Sequence, residues 1–110
     1  MKKQKLLLDA QREQLIKNFK ANHDGTKGCW QEYKAVVKWF NPTGVGTWYL
    51  TDLNPETNVA FGLAVVHEKE LGSIDLNELQ NFKGRFGLGV ERDSSFQMNK
   101  KTLEECKQLN

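Results

Sequence analysis

The chain has 110 residues, 38% of them hydrophobic and 27% charged, with a net charge of +2. That length supports one domain around one core, and a mean hydropathy of −0.65 is that of a soluble globular protein. The longest apolar run, Val59–Val66, is broken at Gly62 and falls far short of the roughly 20 apolar residues of a membrane helix.

The start, Met-Lys-Lys-Gln-Lys followed by only three leucines, has no secretory apolar stretch, so a cytoplasmic location is expected. Cys29 and Cys106 are too few for a disulfide framework and read as free thiols. Charge is unevenly placed: residues 1–38 carry +5, residues 39–93 carry −4 and residues 94–110 carry +1. The net charge therefore hides a basic leading segment and an acidic body. A single domain over 1–110 is expected, with 1–8 and 98–110 the loosely ordered ends.

The first predicted element is a helix over 9–21. Leu8, Leu15, Ile16 and Phe19 share one face, Lys17, Lys20 and Arg12 lie off it, and Asp9 is the expected cap. Asn22 to Gly28 reads as the loop that ends it. From Tyr33 the pattern turns to β-branched and aromatic residues, with a strand around Val36–Phe40 and a turn at Asn41–Gly46. A second strand is predicted over Thr47–Thr51, a loop over Asp52–Asn58 and a third strand over Val59–Val66. Short connections favour an antiparallel meander.

Asp75 and Glu78 read as a capping box, with Ile74 and Leu79 as a hydrophobic staple. They open a short helix over Leu76–Phe82, stopped by Gly84. Gly87–Arg92 reads as a last strand, and Lys100–Leu109 as a terminal helix with a thin apolar face. The expected fold is α+β: an antiparallel sheet of about four strands, packed on one side by the N-terminal helix and the short second helix. Core candidates are Leu15, Phe19, Val37, Trp39, Trp48, Leu50, Phe61, Leu63, Val65, Leu76, Leu79, Phe82 and Val90.

Chemical motifs are scarce. Gly25–Gly28 lacks phosphate-loop spacing, and Lys83–Val90 approaches the RRM signature but Arg85 displaces its aromatic by one place, which turns side chains to the other sheet face. His67 has no partner at metal-ligand spacing, and Lys69 occupies the position where a zinc deaminase needs glutamate. No cofactor or metal is expected. Glu68 with Glu70, and Glu91 with Asp93, each project to one face if extended. They could hold Mg²⁺ or act as acid and base only if the pairs converge; otherwise they form a solvated rim in which Arg92 or Lys38 pairs one member.

In chain order, the segments Leu6–Leu15, Val36–Pro42, Thr47–Thr51, Phe61–Leu63, Glu70–Gly72, Leu76–Leu79 and Gly87–Asp93 resemble a bacterial domain family of unknown function, common on conjugative plasmids and other mobile elements. Its pattern reads V-K-x-F-x-P, T-W, F-G-L, E-L-G, S-L-x-E-L and G-L-x-x-E-R-D, and the resemblance covers about Leu6 to Phe96. Where the family favours Thr at the start of the first helix this chain has Leu8, and where it has Ser before L-x-E-L this chain has Asp75. The resemblance implies context without a reaction: no residue inherits a catalytic role.

Its polar members, Lys38, Glu70, Glu91, Arg92 and Asp93, are the candidate binding residues. The expected function is a non-enzymatic module that binds a host or plasmid protein, with countering of host defence as one such role. A first alternative is nucleic-acid binding through Lys17, Lys20, Lys27 and Lys34, with Trp30 stacking on a base. A second is a small metal-dependent hydrolase built on Glu68, Glu70, Glu91 and Asp93.

Overall fold

The structure, a computed structural model, describes residues 6–22, 34–83 and 88–109. In chain order it contains α1 (Asp9–Asn22), β1 (Val37–Phe40), β2 (Thr47–Asn54), β3 (Val59–Val65), β4 (Lys69–Asp75), α2 (Leu76–Asn81), β5 (Glu91–Arg92) and α3 (Leu103–Gln108). The sheet has five strands in the order β4-β3-β2-β1-β5, and every pairing is antiparallel. The α+β class is as expected. The fifth strand is β4, whose Lys69-Glu70-Leu71-Gly72-Ser73 stretch shows no run of β-branched or aromatic residues.

Strand alternation divides the core in two. Trp39, Trp48, Leu50, Ala60 and Ile74 point to a first face, where they pack with Leu15 of α1 and with Leu76 and Leu79 of α2. Tyr49 and Leu63 point to the second face, where Leu103 and Cys106 of α3 cover them together with half-buried Phe61, Val65 and Phe96. Helices therefore lie on both sides of the sheet, not on one. The thin apolar face of α3 suffices because it has only a small patch to cover.

Several local expectations change. α1 buries Gln11, Leu15 and Asn18, whereas Leu8 is 44% exposed. Leu8 precedes the helix: its carbonyl accepts from Arg12 N–H at 3.0 Å, and Gln11 Oε1 accepts from Leu8 N–H at 3.0 Å. Leu8 therefore holds the N-cap position, and Asp9 is the first-turn acid instead of the cap. Asn18 is buried for a reason the apolar count misses. The β2–β3 register shifts between Leu50 and Asp52, and a bulge there takes a backbone carbonyl out of the ladder. Asn18 Nδ2 donates to the carbonyl of Thr51 at 2.9 Å, and Gln14 Nε2 holds Asn18 Oδ1 at 2.8 Å.

β2 runs on through Asp52–Asn54, which the polar sequence marks as loop. The turn after it closes where Asn58 adopts φ 59°, a conformation asparagine tolerates. At α2, Asp75 Oδ1 accepts from Asn77 N–H at 2.9 Å and from Glu78 N–H at 3.4 Å. The complete capping box belongs to α3, between Thr102 and Glu105. α2 ends at Phe82, which turns extended (φ −62°, ψ 135°) and sets its ring 6.4 Å from that of Trp48, edge to face. The stop therefore precedes Gly84, which lies outside the described residues.

Candidate functional site

Three of the five candidate binding residues meet on the second face, at the β1–β5 edge. Lys38 sits directly across from Tyr49 in the β1–β2 register, which places its ammonium 5.6 Å from the Tyr49 ring centroid, within cation–π range. Lys38 Nζ also lies 3.5 Å from Asp93 Oδ2, and Asp93 N–H donates to the Lys38 carbonyl at 2.9 Å. Asp93 Oδ1 turns the other way and accepts from Ser95 N–H at 2.9 Å and Ser95 Oγ–H at 2.6 Å. These Ser95 bonds, helped by Lys38 and opposed by partial burial, lower the Asp93 pKa.

Glu91 lies on the same face, two residues along and opposite Phe40, and is exposed. The Lys38–Asp93 pair links β5 to β1 at the side-chain level. It fastens a two-residue strand to the sheet and starts the Asp93–Phe96 turn, whose Phe96 ring then packs 5.8 Å from Tyr49. Beyond it, a shallow cavity of about 290 Å³ is lined by Asp93, Ser95, Phe96, Gln97, Lys100 and Lys101.

The other two candidates lie elsewhere. Arg92 pairs with Trp39 and so belongs to the first face. Glu70 pairs with Ala64 on β4, at the far edge of the sheet. β4 and β5 are separated by three strands, roughly 19 Å at ordinary strand spacing. The acidic pairs Glu68/Glu70 and Glu91/Asp93 therefore do not converge, and the arrangement the hydrolase alternative requires is not formed. Among the described residues, no group of three or more His, Cys, Asp or Glu side chains could hold a metal ion.

The basic segment divides as well. Lys17 and Lys20 line a shallow cavity with Glu13 and Ile16 on α1, whereas Lys34 bridges to Thr102 beside α3. Lys27 and Trp30 lie outside the described residues. No helix of the described residues is long and apolar enough to cross a membrane.

Two features went unread in the sequence. One is Asp52, 4% exposed, which lines a cavity of about 400 Å³ together with Phe19, Asn54, Thr57, Phe61 and Ser73. Its setting in a polar stretch masked its place on a strand. The other is the outer side of β4. Val66 N–H donates to the Glu68 carbonyl at 3.3 Å and Leu76 N–H to the Asn58 carbonyl at 3.2 Å. The register between these bonds pairs Gly62 with Gly72 and Ala60 with Ile74. Hydrogen-bonded pairs alternate along an antiparallel ladder, so Glu70, Gly72 and Ile74 bond to β3. Lys69, Leu71 and Ser73 then direct their backbone N–H and C=O away from β3, toward the outside of the sheet. Leu71 is 55% exposed.

The match to a family model extends over residues 6–106, nearly the whole of this fold, and its description is a protein of unknown function, DUF2958. The chain belongs to the DUF2958 family. Searches of curated proteins and of solved structures returned no match. The DUF2958 match runs from α1 to the Cys106 position within α3, so both edges of the sheet and the Lys38–Asp93 fastening lie within it.

Proposed function

We propose that this DUF2958 chain is a non-catalytic protein-binding module carried by mobile elements, which works in the cytoplasm and engages its partner by strand addition to β4. The partner is a protein encoded by the host or by the element itself, and masking a host-defence component is one use such a module would serve.

The observation that carries this reading is the outward direction of the Leu71 and Ser73 backbone groups beside an exposed leucine. An open edge of this kind offers main-chain hydrogen bonds for affinity and side-chain positions at every second residue for specificity. Natural edges are commonly blunted by proline, bulges or charges in mid-strand. Here the middle of the strand is Leu71-Gly72-Ser73, and the three charges sit at its ends, Lys69 and Glu70 at the start and Asp75 at the close.

The test is Ser73→Pro. Proline removes the outward N–H and leaves the β3–β4 ladder intact, because Ser73 does not bond to β3. The variant should keep its circular-dichroism spectrum and unfolding midpoint, yet lose partner capture that Glu56→Gln, in the exposed β2–β3 turn, retains. In the wild-type complex the amides of Leu71 and Ser73 should become protected from hydrogen exchange. Capture that is indifferent to Ser73→Pro, with unchanged exchange at those two amides, refutes strand addition.

A further inference from the structure

We infer that the strand added to β4 is β4 of a second copy of this chain, antiparallel, with the twofold axis passing between the two Gly72 residues. The inference rests on the strand-addition reading and names the partner of that same edge.

The register follows from three constraints. The first is the phase of the ladder. Only odd-numbered β4 residues face outward, so odd residues must pair with odd, and the axis can fall at Glu70, Leu71, Gly72 or Ser73. The second is charge. An axis at Glu70 sets the two Glu70 carboxylates directly opposite each other, and an axis at Leu71 sets them on one face as diagonal neighbours, about 7–8 Å apart. An axis at Ser73 sets Leu71 against Asp75 and leaves Lys69 without an acidic counterpart. With the axis at Gly72, Lys69 lies opposite Asp75 of the second copy, twice over, and the two Glu70 residues stand four positions apart. Opposite charges directly across a ladder attract and like charges repel. Lys69 Nζ already donates to the Lys107 carbonyl at 2.8 Å, and an ammonium has three donors. Asp75 uses Oδ1 to cap α2, and Oδ2 is the acceptor assigned to Lys69.

The third constraint is space. A Cβ built on Gly72 meets nothing within 4 Å, so among the described residues nothing overlies the sheet face at the point where the two copies would cross. The exposed Leu71 of each copy then lies opposite Ser73 of the other and diagonal to its Leu71, so the two leucines cover each other. The two Leu71–Ser73 pairs supply four main-chain hydrogen bonds. α2 turns away onto the first face, where Leu76 and Leu79 are buried, so the ladder can end after Asp75 without collision.

The experiment uses the full chain. Sedimentation velocity should show a concentration-dependent dimer that Ser73→Pro abolishes and Lys69→Glu weakens about tenfold at low salt. In a Cys29→Ser background, Gly72→Cys should oxidise to a covalent dimer, because Cα atoms of a non-hydrogen-bonded pair lie about 4.5 Å apart, within disulfide reach. Leu71→Cys and Ser73→Cys, held diagonally, should not. Equal cross-linking at all three positions overturns the register. A monomer up to about 1 mM overturns self-pairing. If that monomer still gains exchange protection at Leu71 and Ser73 when a synthetic alternating Thr-Val hexapeptide is added, strand addition stands while self-pairing falls. If it gains none, both fall.

Discussion

Gly62→Ala is the sharpest test of how the sheet is built. Gly62 lies on β3 opposite Leu50, beside the β2 bulge. A Cβ placed on it would sit 1.9 Å from the carbonyl oxygen of Tyr49, 2.9 Å from that carbonyl carbon and 3.0 Å from Leu50 Cα. Since the first neighbour is backbone, no side-chain rotation relieves the clash, and the strands must separate by roughly 1.5 Å before ordinary contact is restored.

Tyr49 and Leu50 are 1% and 0% exposed and face opposite cores, so any shift of β2 is felt on both sides of the sheet. Overpacking of this kind costs about 1–3 kcal/mol, and a weakened ladder hydrogen bond adds about 1 kcal/mol. The reduced freedom of the unfolded chain returns about 0.4–1 kcal/mol. The expected net loss is about 1–4 kcal/mol. Urea unfolding followed by the fluorescence of buried Trp39 and Trp48 should show it as a lower midpoint at unchanged slope. Gly72→Ala, with open space around its Cβ, is the matched control and should be neutral or slightly stabilising. A Gly62→Ala variant within about 0.5 kcal/mol of wild type would refute the close β2–β3 approach.

Three further outcomes follow from local chemistry. Leu8→Thr places a hydroxyl at the N-cap of α1, where Gln11 already closes the return half of a capping box. It should add about 0.5–2 kcal/mol, read as a higher melting temperature, and an unchanged or lower one contradicts the cap assignment. The Asp93 carboxyl is held below its ordinary value of 3.8 by the Ser95 bonds and by Lys38. Its stabilisation is therefore complete above pH 3.8 and is lost as the pH falls through the lowered folded value. Asp93→Asn should flatten that acid limb of the stability curve, and an unaltered limb tells against the assignment. Cys106 is 0% exposed, and burial pushes its thiol up to about 11. At pH 8 it should react with a disulfide reagent far more slowly in the native Cys29→Ser variant than in urea; equal rates contradict its burial.

The hydrophobic pattern located the core strands because β-branched and aromatic residues at alternate positions have one good use. Trp39, Trp48, Leu50 and Leu63 are buried where the alternation puts them. The Asp75 cap and the Ile74–Leu79 staple were equally legible, since they depend on residues three to five apart. β4 was not legible: at the sheet edge its residues are mostly exposed, so burial never shaped its composition. Asn18 was not singled out and Asp52 was placed in a loop, because the bulge that engages Asn18, like the cavity that Asp52 lines, depends on elements distant in the chain.

The candidate site divides in the same way. Lys38 and Asp93 were singled out from segments 55 residues apart, and only the β1–β5 pairing brings them to 3.5 Å. Glu70 was chosen on the same grounds and lies across the sheet. The sequence alone determined the family, the α+β class and a +2 charge divided between a basic leader and an acidic body. Strand order decided the rest. It parted the acidic pairs, divided the basic segment between two faces and opened β4 at the edge. Local pattern encodes which face a side chain takes, whereas neighbours across a sheet are set by the packing of the whole chain.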